Sequence, residues 1–148
     1  MKNIELFDIA VVHFANVLYE NFPICIDINI YEEVQKEPFA SLKEEDLTKR
    51  LVISETLFWL EENDFLKFEK PTQREPFTMP HDPYPFFQCV RLTAKGLTIL
   101  KSPPKTIEEK QSLGDKMQEQ MQTALTQKLF DKLSDVVIDF TMKLASGM

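Results

Sequence analysis

Apolar residues recur at spacings of three and four over residues 4–22, which is the pattern of one face of an amphipathic α-helix. Pro23 cannot continue a helix, so we expect the helix to end there. The short β-branched stretch 24–27 that follows predicts a small strand. The residues on the predicted helix face are Ile4, Phe7, Val11, Phe14, Ala15, Leu18 and Phe22.

Two further helices are predicted before residue 64. The first covers about residues 29–36, with Asp27 or Asn29 as its N-cap. Residues 41–44 read Ser-Leu-Lys-Glu, the form of a capping box, which favours a helix start or a turn leading to one. The second helix runs to about Asn63. Its inward positions are predicted to be Leu47, Leu51, Ile53, Leu57 and Leu60.

A hairpin and a short helix come next. Residues 65–69 alternate like a strand with one buried face, and residues 87–92 are predicted to form the returning strand. Five of the nine prolines lie within residues 71–86, so this stretch is predicted to be a loop. Thr93 then caps a helix that reaches about Leu100.

The C-terminal region, from residue 106 to residue 146, has the pattern of one long amphipathic helix. Its apolar surplus lies toward the end and exceeds what one helix buries alone, so we expect two chains to pair as a homodimer. The alternative is a helix that breaks near residues 112–114 and folds back on its own domain. The predicted dimerisation residues are Leu125, Leu129, Leu133, Val136, Val137, Phe140 and Leu144.

The order of these elements predicts an α+β fold that is mainly α. Three helices on a small antiparallel sheet, with a long hairpin loop, is the arrangement of a winged helix-turn-helix domain. We expect residues 1–102 to form the winged helix domain and residues 103–148 to form the C-terminal helix. Hydrophobic residues make up 43% of the chain, which is enough for a packed core.

Two segments resemble winged helix-turn-helix proteins. Residues 53–66 are similar to the end of a recognition helix followed by a short acidic turn and a hydrophobic strand. Residues 91–96, Arg-Leu-Thr-Ala-Lys-Gly, are similar to the Leu-Thr-x-x-Gly signature at which the last strand enters the next helix. The resemblance covers residues 4–101 and is closest to small bacterial and phage-associated members. The chain departs from the family at Asn63, where most members carry glycine, and in its long, proline-rich wing.

The resemblance implies a DNA-binding protein like a transcriptional regulator, acting as a homodimer on duplex DNA. In such a protein the recognition helix offers polar side chains to base edges, while lysine and arginine contact the flanking phosphates. We expect the outward positions of this helix to include Val52, Glu55 and Trp59 as well as its predicted DNA contacts. The predicted DNA-binding residues are Thr48, Lys49, Arg50, Thr56, Lys70 and Arg74.

The charge of the chain supports a different hypothesis. The formal net charge is -7, and residues 1–102 hold seventeen acidic against eleven basic residues, whereas a phosphate-contacting face is normally basic. The alternative function is a winged-helix protein-interaction or scaffold module that does not bind DNA. A continuous positive strip joining Lys49, Arg50, Lys70 and Arg74 would favour DNA. An acidic recognition face with an apolar groove would favour a protein partner.

Other function classes have little support in the sequence. No catalytic motif appears, and with three glycines the chain has no phosphate-binding loop, so we expect neither an enzyme nor a cofactor. His13, His81, Cys25 and Cys89 lack zinc-site spacing, so no metal is expected. No secretory signal or membrane-spanning apolar run is visible, which favours a cytoplasmic protein with no membrane partner.

The two cysteines are predicted to be neighbours in the sheet. In a winged helix the first strand usually pairs with the strand that returns from the wing, which would bring Cys25 near Cys89. Ile24 and Ile26 would then face the core together with Val90. A cytoplasmic protein keeps such neighbours reduced, so we expect two thiols and no disulfide.

Overall fold

The computed structural model describes residues 1–69, 86–102, 112–127 and 131–146. Within these ranges the fold is α+β and mainly helical, as predicted, with a small antiparallel sheet. The predicted loop 71–86 and the chain around residues 103–111 lie almost wholly outside the described residues. The elements, in chain order, are α1 (Asn3–Asn21), β1 (Ile26–Asn29), α2 (Ile30–Glu33), α3 (Asp46–Glu62), β2 (Leu66–Glu69), β3 (Phe86–Leu92), α4 (Ala94–Lys101), α5 (Leu113–Gln127) and α6 (Asp131–Ala145).

Helix α1 lies at the centre of the molecule. It contacts α3 on one side and α5 and α6 on another, and it also touches β3 and α4. Its apolar residues extend around most of the helix because neighbours cover it on several sides. The fully buried side chains include Leu6, Phe14 and Leu18, while Ile4 near its start is 60% exposed.

The three strands form an antiparallel sheet in the order β1-β3-β2. Both pairings shift register where β3 carries an extra residue, and Cys89 in this β-bulge has a positive φ of 51°. The bulge leaves the Cys89 N–H without a ladder partner. It donates instead to Oδ1 of Asp27 on β1 at 2.9 Å.

Strand β1 pairs with β3 as the cysteine argument expected, but two details of that expectation are wrong. Cys25 and Cys89 form a disulfide, with their Cα atoms 4.7 Å apart, and are not free thiols. Ile24 is 72% exposed and does not face the core, because β1 begins two residues later than predicted, at Ile26. Disulfides are typical of oxidising compartments. The two cysteines therefore give no support to the hypothesis of a cytoplasmic protein.

The junction between β3 and α4 follows the Leu-Thr-x-x-Gly segment. The Thr93 hydroxyl caps α4 by accepting the Gly96 N–H at 3.0 Å, and it donates to the carbonyl oxygen of Asp64 at 2.5 Å. A Cβ on Gly96 would overlap the carbonyl oxygen of Phe65. Glycine is therefore required here so that α4 can approach the turn between α3 and β2.

The residues at the ends of α2 and α3 agree with the sequence patterns in part. Asn29 caps α2, its side chain accepting the N–H groups of the first turn. Ser41 lies in a turn that precedes α3, which is the second of the two predicted possibilities, and its hydroxyl donates to Glu37 at 2.5 Å. After the end of α3 the left-handed residue is Asp64, with φ 60°, whereas Asn63, where most family members carry glycine, has φ -95°.

The single long C-terminal helix is wrong, and the fold-back alternative is confirmed. α5 and α6 both pack on α1 and α4. The division between these two helices, at residues 128–130, was not predicted, and the residues before the predicted break at 112–114 lie outside the described ranges. The contact is close: a Cβ on Gly114 would lie 3.1 Å from the Tyr19 ring of α1. Phe140 of α6 packs edge-on against Phe65, with ring centroids 4.8 Å apart.

Candidate functional site

Two of the predicted DNA contacts point inward. Lys49 is 3% exposed and Thr56 is 1% exposed, so the prediction that they face outward from α3 is wrong. The Thr56 hydroxyl donates to the carbonyl oxygen of Val52, one turn earlier, at 2.6 Å. Thr48 is half-buried. These side chains do not form the exposed polar row that base reading requires.

Of the remaining predicted contacts, the structure describes only Arg50. The guanidinium carbon of Arg50 lies 4.9 Å from the ring centroid of Tyr31 on α2, in a cation–π contact. Lys70 and Arg74 lie outside the described residues. A continuous positive surface through these residues is therefore not among the features that the structure describes.

An open groove lies instead between the start of α1 and the outer face of α3. Its volume is about 520 Å³, which falls within the range of known ligand-binding clefts. Three lining residues come from α1 and seven from α3. They are Asn3, Ile4, Phe7, Leu51, Val52, Glu55, Thr56, Phe58, Trp59 and Glu62.

The walls of the groove are apolar, and part of that surface faces solvent. Ile4 is 60% exposed and Leu51 is 43% exposed. The prediction that Leu51 faces inward is therefore wrong. Trp59 is half-buried and packs edge-on against Phe7, with ring centroids 5.2 Å apart, so it joins the two walls. Phe58 connects the groove to the sheet through T-shaped contacts with rings on β2 and β3.

The two charged residues that line the groove are both acidic. Glu55 and Glu62 are both exposed and line it two turns apart on α3, whereas none of its ten lining residues is lysine or arginine. Burial, followed by the neighbouring charge of Glu62, raises the pKa of Glu61. Burial, followed by the charge of Glu5, raises the pKa of Asp8 to about 6. Asp8 lies one turn after Ile4 on the same side of α1.

The predicted dimerisation residues lie largely in the chain's own core. Leu125 is 37% exposed, and Leu129 falls outside the described residues. The prediction of a free apolar stripe is wrong, because α6, which carries most of these residues, packs on α1 and α4. The residues between 0% and 4% exposed are Leu133, Val136, Val137, Phe140 and Leu144.

The remaining titratable clusters have simpler explanations. Nε2 of His13 lies 3.4 Å from Oε1 of Glu33, and the His13 ring packs edge-on against Phe14 and Phe39. This is a packed histidine with one carboxylate neighbour.

Among the residues that the structure describes, no group of three metal-ligating side chains comes together, and no helix is long and apolar enough to cross a bilayer.

Sequence reasoning placed Val52, Glu55 and Trp59 on the outer face of α3, and all three line the groove. It missed Ile4 and Phe7, which it assigned to the core. The groove needs two helices about forty residues apart in the chain to meet, and helical periodicity does not show which helices meet. In the sequence Ile4 has the same apolar spacing as the buried residues of α1, so no sequence signal marked it as exposed.

Comparisons with known proteins add no identification. No protein-family model matches the chain, and no curated protein or solved structure is significantly similar to it. The function therefore has to be argued from the geometry of the groove.

Proposed function

We propose that this chain is a winged-helix protein-interaction module that binds a partner protein in the groove between α1 and α3. One observation carries the proposal: the outer face of α3 presents an apolar groove flanked by carboxylates. In a winged helix this face is the one that would enter the DNA major groove. Here its polar groups Glu55 and Glu62 have the sign that repels phosphate.

The winged-helix assignment is supported by topology. The order of α1 to α3 and the strands, the β1-β3-β2 sheet, and the hairpin of β2 and β3 agree with that fold. Thr93 and Gly96 join the last strand to the next helix in the way that the Leu-Thr-x-x-Gly signature implies. The same topology is the observation that favours the second candidate function, DNA binding.

Binding to random duplex DNA separates the two candidates. The full chain is titrated against a labelled duplex at about 50 mM and about 200 mM salt, and fluorescence anisotropy is measured. DNA contacts through several phosphates give saturable binding that weakens steeply with salt. We expect no saturable binding at either salt concentration. Saturable, strongly salt-dependent binding would overturn the proposal and establish the DNA-binding candidate.

A peptide-display selection tests the groove itself. The full chain is used as bait alongside two variants with the same kind of change, Leu51→Glu in the groove and Ile138→Glu on the outer face of α6. Both positions are exposed, at 43% and 54%, so both variants should fold. We expect wild type and Ile138→Glu to enrich the same sequences and Leu51→Glu to lose them. Equal enrichment by all three would exclude the groove as the binding site.

A further inference from the structure

We infer that the occupant of this groove is an amphipathic helix with a short apolar face flanked by lysine or arginine. The inference rests on the proposed function and specifies the chemistry of the partner. It combines the length of the groove, the aromatic and aliphatic walls and the sign of the charges beside them.

The shape of the groove favours a helix as the ligand. Its walls belong to two helices, and its α3 side extends from Leu51 to Glu62, which is about 16 Å at 1.5 Å per residue. That length matches about three turns of a bound helix. A helix in a groove of this kind inserts apolar side chains at i, i+3 or i+4, and i+7. Ile4, Leu51 and Trp59 are the wall residues that such side chains would contact.

The charges beside the groove favour a basic ligand. Exposed Glu62 ends the α3 wall, and Glu55 lies two turns earlier on the same helix. A cation near Glu62 would also offset the repulsion that Glu62 exerts on Glu61. Acidic flanks on the ligand would add like charges beside these carboxylates. The net charge of -7 would also attract a basic ligand during diffusional encounter.

The chain contains its own reporter of groove occupancy. Trp59 is the single tryptophan, is half-buried and lines the groove, so a ligand that covers it changes its emission. The probes are three tryptophan-free helical peptides with the same leucine face at i, i+4 and i+7. They differ only in flanking residues, which are lysine, glutamine or glutamate. A scrambled lysine peptide of equal composition, without an apolar face, is the control for charge alone.

We expect the lysine-flanked peptide to bind at least tenfold more tightly than the glutamate-flanked peptide, with the glutamine-flanked peptide between them. The scrambled peptide should leave Trp59 emission unchanged. The Glu62→Lys variant should remove most of the preference for lysine flanks, whereas Glu69→Lys, on β2 and outside the groove lining, should retain it.

Each other outcome contradicts a specific part of the inference. Equal affinity for the three flanks would overturn the basic ligand and leave the groove as a binding site. No change in Trp59 emission with any peptide would overturn the helical ligand, while the display selection still decides the proposed function. An emission shift that depends on protein concentration and is lost in Leu51→Glu would assign the groove to a second copy of the chain. That result too would overturn the inference.

Discussion

The C-terminal helices and the α1–α3 groove both carry more apolar surface than their own helices can bury, but the first surface is largely buried in the fold and the second is partly exposed. α6 turns Phe140 and Leu144 into the core, where they are 0% and 3% exposed. The groove leaves Ile4 and Leu51 at 60% and 43% exposed. In the sequence the C-terminal stripe is the more prominent candidate for a partner surface, whereas in the structure the groove is the place where apolar residues of two helices face solvent.

The difference shows that an apolar stripe does not by itself identify an interface. Hydrophobic periodicity tells which residues share a helix face, but burial depends on whether another element of the same chain reaches that face. α6 packs on α1 and α4 of the same chain. An open groove remains between the start of α1 and α3.

The oligomeric state gives the largest expected difference, a factor of two in mass. Because α5 and α6 cover their stripe within the chain, we expect light scattering to report a monomer of 17.3 kDa at tens of micromolar protein. A dimer that persists in Leu51→Glu would contradict the fold-back of the C-terminal helices. A dimer that is lost in Leu51→Glu would place the second copy in the groove.

Phe140→Ala tests whether α6 is part of the core. Phe140 is fully buried and packs against Phe65, so its truncation should lower the free energy of unfolding by about 3–5 kcal/mol. Ile138→Ala, on the same helix but 54% exposed, is the matched control and should change it by less than about 0.5 kcal/mol. Urea unfolding followed by circular dichroism measures both. Equal effects would mean that α6 does not pack as described.

Two leucines of α3 give the corresponding test for the groove. Leu57 is 0% exposed, so Leu57→Ala should lower the free energy of unfolding by about 2–5 kcal/mol. Leu51→Ala should change it by about 0.5 kcal/mol or less, because much of this side chain already faces water. The same urea titration compares them. A large loss of stability in Leu51→Ala would show that Leu51 belongs to the core and that the groove wall is misplaced.

The sequence predicted best where local backbone chemistry decides the structure. Asn29 and Thr93 cap their helices as expected, and the close packing at Gly96 follows from its signature. These features depend on hydrogen bonds between residues a few positions apart and on the missing Cβ of glycine. The predicted order of helices and strands from α1 to α4 and the mainly helical α+β class are confirmed, whereas the single helix predicted after α4 is not.

The sequence predicted poorly where tertiary contacts decide the structure. The rotation of α3 about its axis places Lys49 and Thr56 inside and Leu51 outside, the reverse of the prediction. That rotation is set largely by packing against α1, which lies about forty residues earlier in the chain. The lysine stem can pack along apolar surface, so residue type alone did not predict its burial. The groove was missed because it exists only where two separate helices meet.

Asp8 gives the smallest expected effect and tests the environment beside the groove. Its pKa is raised to about 6 by burial and by Glu5, so the folded chain keeps a proton there between about pH 4 and pH 6 that the unfolded chain releases. The contribution of Asp8 to the free energy of unfolding is therefore full below about pH 4 and is lost as the pH rises through about 6.

Asp8→Asn cannot ionise, so it should exceed wild type in stability at pH 7. Because the carboxyl is only half-buried, solvent screening limits the gain to about 1 kcal/mol. Urea unfolding of both proteins at about pH 4 and pH 7, with Asp135→Asn as an exposed control, measures this difference. A gain in Asp8→Asn of the same size at both pH values would contradict the raised pKa.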